Sequence, residues 1–97
     1  MSFAVVVEFD IKPDMSEQFK RRVAQQAADS LNREEGCEVF KVWASADRPH
    51  QVYLYEVYSS KAAFDAHLKS RHFIEFDRDT ADWVTSKKVG TWDALLA

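Results

Sequence analysis

Residues Tyr53–Phe76 read YLYEVYSSKAAFDAHLKSRHFIEF. The first six alternate, with Tyr53, Tyr55 and Val57 on one side and Leu54, Glu56 and Tyr58 on the other. That period of two predicts a strand, Gln51–Tyr58. At Ser59-Ser60, a natural helix N-cap, the period changes. Ala63, Phe64, His67 and Leu68 then recur at three- and four-residue spacing, one apolar face of a short helix over Lys61–Lys69. Ser70-Arg71 breaks it. A further helix starts near His72, with Phe73, Phe76, Thr80, Trp83 and Val84 inward. A strand running straight into helix, with two histidines among aromatic residues, frames both the fold and the chemistry.

Upstream, Phe3–Ile11 alternates and is rich in β-branched residues, so it is a strand. Lys12-Pro13-Asp14 ends it. Asp14 is placed to cap a helix, with Glu17 in the capping-box position. Phe19, Val23, Ala27 and Leu31, with Ala24 and Ala28 beside them, make one apolar stripe on a helix from Ser16 to about Arg33. Gly36 ends the connection. Cys37–Ser45 is a second strand, with Phe40 and Val42 opposite Val39, Lys41 and Trp43. Ala46 to His50 supplies the turn. Downstream, Ser86–Leu96 reads as the last strand.

The order strand, helix, strand, strand, helix, strand predicts an α+β, ferredoxin-like split βαβ fold. It is a single domain over residues 1–97, with an antiparallel sheet and helices on one face. The first strand is apolar on one face and half apolar on the other. If the helices take the side with Ala4 and Val6, then Phe3, Val5, Val7 and Phe9 need another cover. A second copy of the sheet supplies it, which predicts a homodimer through the sheet faces.

The remaining composition narrows the function. Thirteen basic residues are interspersed with 16 acidic ones, net −3, so no basic face is available for nucleic acid. MSFAVVVEFD lacks the basic start and apolar core of a signal peptide, and no apolar run reaches membrane-spanning length. The single cysteine, Cys37, has no disulfide partner and reads as a small apolar strand residue. A cytoplasmic protein is expected.

His67 has two readings, a general base or acid facing a pocket and a core histidine satisfied by one hydrogen bond. His72 is a substrate anchor or a polar group at a helix end. Five residues apart across a break, with no third ligand evident, the pair predicts no metal site. Glu56 inside an aromatic strand is costly to bury alone. It is either salt-linked to Arg71 or to a partner-chain lysine, or an acid/base partner of His67. Tyr55, Tyr58, Trp43, Trp83, Phe64 and Phe76 are core or cross-strand residues that also suit the walls of an aromatic pocket.

The chain resembles the antibiotic biosynthesis monooxygenase family. The likeness is carried by Tyr55-Glu56-Val57-Tyr58, Ala62-Ala63-Phe64, His67, Ser70, His72 and Phe73, and by Lys12, Pro13 and Phe19 after the first strand. It implies a dimeric α+β barrel of ferredoxin-like subunits, with a pocket in each between sheet and helices. Members include quinol monooxygenases that use oxygen with neither metal nor flavin. A close branch resembles isomerases that degrade the phosphorylated dicarbonyl autoinducer-2. A haem-degrading branch fits poorly, because its Asn, Trp and His positions fall here near Val6, His67 and Asp77. The resemblance therefore implies a cofactor-independent monooxygenase on a hydroxylated aromatic, with His67 as base. The alternatives are a phosphate-recognising isomerase, with Arg71, Arg48 or Lys41 as the basic rim, and a non-enzymatic binding dimer.

Overall fold

The computed structural model describes residues 2–97. Four strands and three helices follow in the order β1 (Phe3–Ile11), α1 (Ser16–Arg33), β2 (Cys37–Ser45), β3 (Arg48–Tyr58), α2 (Lys61–Lys69), α3 (Arg71–Thr80) and β4 (Val84–Trp92). The sheet runs β2-β3-β1-β4, and every pair is antiparallel. This is the ferredoxin-like α+β fold expected from the sequence. Among the described residues no helix is long and apolar enough to cross a membrane.

The faces of β1 are assigned the other way round from expectation. Phe3, Val5, Val7, Phe9 and Ile11 are all buried in the core. They sit with Val52, Leu54 and Tyr58 of β3, and with Phe19 and Val23 of α1. The bulkier set gains more by burial under helices than the set containing Ala4, Glu8 and Asp10. The uncovered face instead carries Trp43, Tyr53, Tyr55 and Trp92, all exposed.

The stripe on α1 also turns. Leu31 is exposed, whereas Gln26 and Ser30 are buried beside Phe19 and Val23. At 3.6 residues per turn, a strict every-four repeat drifts around the helix. Leu31 lies about 120° from Phe19, and Ser30 only about 20°. Polar residues therefore occupy the inward face near the C-terminal end of α1.

Several boundaries shift. Pro13–Met15 forms a single 3-10 turn, and α1 begins without a side-chain cap, so the Asp14–Glu17 capping box does not form. The β2–β3 hairpin turns on Ala46-Asp47 alone, and Arg48-Pro49-His50 already belong to β3. β4 starts at Val84. A register shift between Cys37 and Val39 lets Cys37 and Phe40, three apart, point to the same side. Ser70 joins α2 to α3. Its hydroxyl donates to His67 O at 2.7 Å and accepts from Phe73 N–H at 3.3 Å, so one residue closes one helix and caps the next.

Candidate active site

The helix break at Ser70 puts His67 in the last turn of α2 and His72 in the first turn of α3, with ring centroids 5.9 Å apart. Both are buried. The C-terminal end of α1 meets them. His67 Nδ1 lies 2.8 Å from Glu34 Oε2, and His72 Nε2 lies 2.7 Å from the same oxygen. The His67 contact is a well-directed hydrogen bond, in which Nδ1–H donates to the carboxylate. The His72 contact is close but off line, leaving Nε2 without an aligned partner. His72 Nδ1 faces Gln26 Oε1 at 3.3 Å.

Gln26 and Ser30 on α1, and Glu34 at its C-cap, are spaced by four, and the drift of the stripe carries the first two inward. None of the three is singled out by the sequence pattern, although Gln26 and Ser30 keep phase with Phe19 and Val23 at the true helical period.

His67 sits in a ring of aromatic side chains. Its centroid lies 5.0 Å from Phe73, 5.2 Å from Tyr58 and 6.1 Å from Phe64, which stacks on it. Burial pulls its pKa below the usual 6.5 against the opposing pull of Glu34, so the neutral ring is favoured.

Beside His67 is a cavity of about 30 Å³ lined by Glu56, Phe40, Phe73, Phe76, Gln26 and Lys87, among others. That is room for a water-sized occupant. Glu56 is buried on β3 and accepts a 2.5 Å hydrogen bond from Tyr58 Oη. Burial outweighs that bond and pushes its carboxyl up to about 7. Arg71 does not reach it, because Arg71 is exposed and paired with Glu75 at 3.0 Å. In place of the expected link to Arg71, Glu56 has a tyrosine hydrogen bond, and among the described residues the one cation lining the cavity is Lys87. Lys87 Nζ stands over the rings of Phe9 and Phe73, 3.9 Å from Asp77. Burial also drives the Tyr58 hydroxyl far above its usual range, and holds the Cys37 thiol up at about 12, unreactive.

Of the residues expected at the site, His67, Glu56 and Phe76 line the cavity. His72, Tyr58 and Phe64 pack around His67. Tyr55 and Trp43 do not join them. Tyr55 pairs across the strands with Val6 and Lys41, Trp43 pairs with Tyr53, and all lie on the open face. Alternation separates Tyr55 from Glu56, so the two cannot share a pocket. Trp83 lies in the turn before β4 beside Arg22, away from the histidines. Lys41, Arg48 and Arg71 do not line the cavity.

A roomier hollow of about 320 Å³ lies at one end of the sheet, lined by Trp43, Tyr53, Arg48 and Lys88 among others. None of its titratable groups is also buried against a charge partner, and its concavity follows from the twist of an uncovered sheet. The histidine cavity is smaller but holds the perturbed groups, and perturbed groups mark reactive sites better than volume does.

Residues 2–79 match the family model described as antibiotic biosynthesis monooxygenase. No curated protein matches the chain. Among solved structures, a protein of Nitrosomonas europaea bearing the same family name is 28% identical with a TM-score of 0.90, over 97% of this chain and 90% of that one. A protein of Caulobacter crescentus CB15, also bearing that name, is 20% identical with a TM-score of 0.91, over 98% and 91%. One from Mycobacterium tuberculosis is 23% identical with a TM-score of 0.90, over 100% and 98%. The last two show likeness of fold.

Proposed function

The chain belongs to the antibiotic biosynthesis monooxygenase family, and from that premise we propose that it oxidises small hydroxylated aromatic molecules, quinols and phenols, with molecular oxygen and without a cofactor in the redox step. The observation that carries this reading is the Glu34–His67 pair, with the imidazole buried and the carboxylate partly so, beside a cavity that also holds Glu56. Glu34 accepts from Nδ1–H and so fixes the tautomer of His67, which leaves Nε2 with a lone pair. Burial keeps that ring neutral and ready to accept a proton.

His67 Nε2 takes the phenolic proton. The phenolate passes one electron to oxygen, and the two radicals join as a new carbon–oxygen bond. His67 returns its proton to the outer peroxide oxygen. Glu56, poised near neutral pH, protonates that oxygen as the O–O bond breaks and water leaves, and the ring hydrogen departs as a proton that restores Glu56. Phenol plus O2 gives quinone plus water, with no external reductant. Aromatic and apolar walls keep bulk water from the intermediates. A substrate ring exceeds the present cavity, so binding must displace Phe73 and Lys87 at its wall.

The isomerase reading has less support, since Arg71, Arg48 and Lys41 stand elsewhere and Lys87 is the one basic residue that a phosphate would meet among the described residues lining the cavity. A passive binding role does not call for the shifted titration of Glu56 and His67. We further propose a homodimer in which two open sheet faces meet through Trp43, Tyr53, Tyr55 and Trp92, and, from the lone Cys37, a cytoplasmic location.

The test is turnover of a panel of hydroquinones and phenols under ¹⁸O₂. Phenols are expected to yield quinones carrying one ¹⁸O atom, with oxygen consumed mole for mole. A folded protein that consumes no oxygen across the panel overturns the reading.

A further inference from the structure

We propose that Glu34, His67 and His72 form a binding site for a divalent first-row transition metal, with Glu34 Oε2, His67 Nδ1 and His72 Nε2 as ligands. The three atoms lie within 4.8 Å of one another and come from three different helix ends. Two imidazoles and one carboxylate suit zinc, cobalt or iron(II) rather than magnesium or calcium, which prefer all-oxygen shells. Around a tetrahedral ion with bonds near 2.1 Å, ligand atoms stand about 3.4 Å apart. The oxygen–nitrogen contacts of 2.7 and 2.8 Å would open by roughly 0.6–0.7 Å to reach that spacing, and the two nitrogens, within 4.8 Å of each other, would adjust toward it.

The second observation is a conflict among hydrogen-bond partners. Gln26 Oε1 faces His72 Nδ1 at 3.3 Å, so Nδ1 carries the hydrogen. In the neutral ring that leaves Nε2 with a lone pair, buried 2.7 Å from a carboxylate oxygen but off the line to it, and with no aligned donor among the described residues. A cation seated to the side of that contact would take a lone pair from each. The N–H of a ligand histidine donated to an oxygen acceptor is the arrangement that metal sites use to orient the ring. Ser30 Oγ and Gln26 Nε2, buried without partners on the same face of α1, add polar groups near the cluster. The Glu34 side chain is 14% exposed, which gives an ion a way in.

Binding transfers the His67 Nδ1 proton to solvent, so affinity rises with pH. The metal takes the place of that proton and is assigned no part in oxygen chemistry. The inference therefore stands on binding alone, whatever the substrate.

The experiment titrates chelator-stripped, full-length protein with Co²⁺ and follows its visible absorption. One saturable equivalent, displaced by Zn²⁺, is expected. Glu34→Gln and His72→Ala should abolish the saturable band. Gln26→Leu should weaken binding about 10–100-fold by removing the partner of His72 Nδ1. His50→Ala, on an exposed strand end, should leave it unchanged. Circular dichroism checks that each variant folds, and the wild-type titration decides even where one does not. No saturable band in the wild type overturns the site; it would mean that Gln26 presents its NH₂ to His72 and that Nε2–H donates to Glu34. A band that survives in folded Glu34→Gln and His72→Ala also overturns it.

Discussion

The two faces of the sheet are made by the same four strands, and both are rich in aromatic residues. On the covered face Tyr58 is fully buried and hydrogen-bonded to Glu56. On the open face Trp43 is 60% exposed and Trp92 67%, with Tyr53 and Tyr55 exposed to a lesser degree. The covered face has titratable groups shifted by burial, whereas the open face has large apolar area and ordinary surface charges. Aromatic content therefore does not locate the chemistry. Buried Glu56 and His67 do, and the open face is built for association.

The largest expected effect separates the faces by activity. His67→Ala should lower turnover about 10²–10⁴-fold, the usual worth of a general base. Tyr55→Phe, one residue from Glu56 but on the other face, should stay within about twofold, since surface changes of this kind are small. Steady-state oxygen uptake on both variants would break the comparison if the order were reversed.

Next comes the pH dependence of stability. Glu56 has a folded pKa of about 7 against 4.5 for the free group. Below about 4.5 both states hold the proton, and stability from this group is full. Between 4.5 and 7 only the folded state holds it, so stability falls as pH rises and is flat above 7. Glu56→Gln mimics the protonated form and should remove that fall, roughly 3 kcal/mol at pH 8. His67 acts in the opposite sense. Its pKa is lowered, so its contribution is present above 6.5 and is lost as pH falls toward the folded value. Urea titrations from pH 4 to 8 on both proteins would show the two slopes, and parallel curves would refute the assignment to Glu56.

A steric change probes how the covered face is held. A Cβ on Gly36 would meet Ala63 Cβ at 2.5 Å and Ser59 Oγ at 3.1 Å. Gly36→Ala should push α2 away from the start of β2 and cost about 1–3 kcal/mol. A midpoint unchanged in urea would show that α2 is not seated there. The smallest effect on stability belongs to the open face. Tyr53→Glu should alter the protomer by no more than about 0.5 kcal/mol, yet shift dimer toward monomer in sedimentation. A wild type that sediments as a monomer at micromolar concentration would refute the dimer.

The order of elements was legible because each carries its own period. Tyr53–Tyr58 alternates, and Ala63, Phe64 and His67 follow the helix. Which face the helices cover was not legible on β1, because Ala4 and Val6 make its second face apolar too. Parity groups Tyr55 with Tyr53 and away from Glu56, but it does not say which group lies under the helices. Glu34 was hidden for another reason. It stands just past a helix whose last inward positions are Gln26 and Ser30, residues that read as surface, and only the packing of α2 and α3 brings two histidines to it. His67 and Glu56 were legible because each is a titratable group set among apolar neighbours.

The most direct test needs no substrate. Imidazole ¹⁵N spectra of the metal-stripped protein, with His67 assigned by mutation, report both tautomer and titration. The ring should be neutral at pH 6.5 and carry its hydrogen on Nδ1, with a midpoint below 6.5. A His67 that is charged at that pH, or that carries its hydrogen on Nε2, would contradict the claim that Glu34 holds a neutral base toward the cavity.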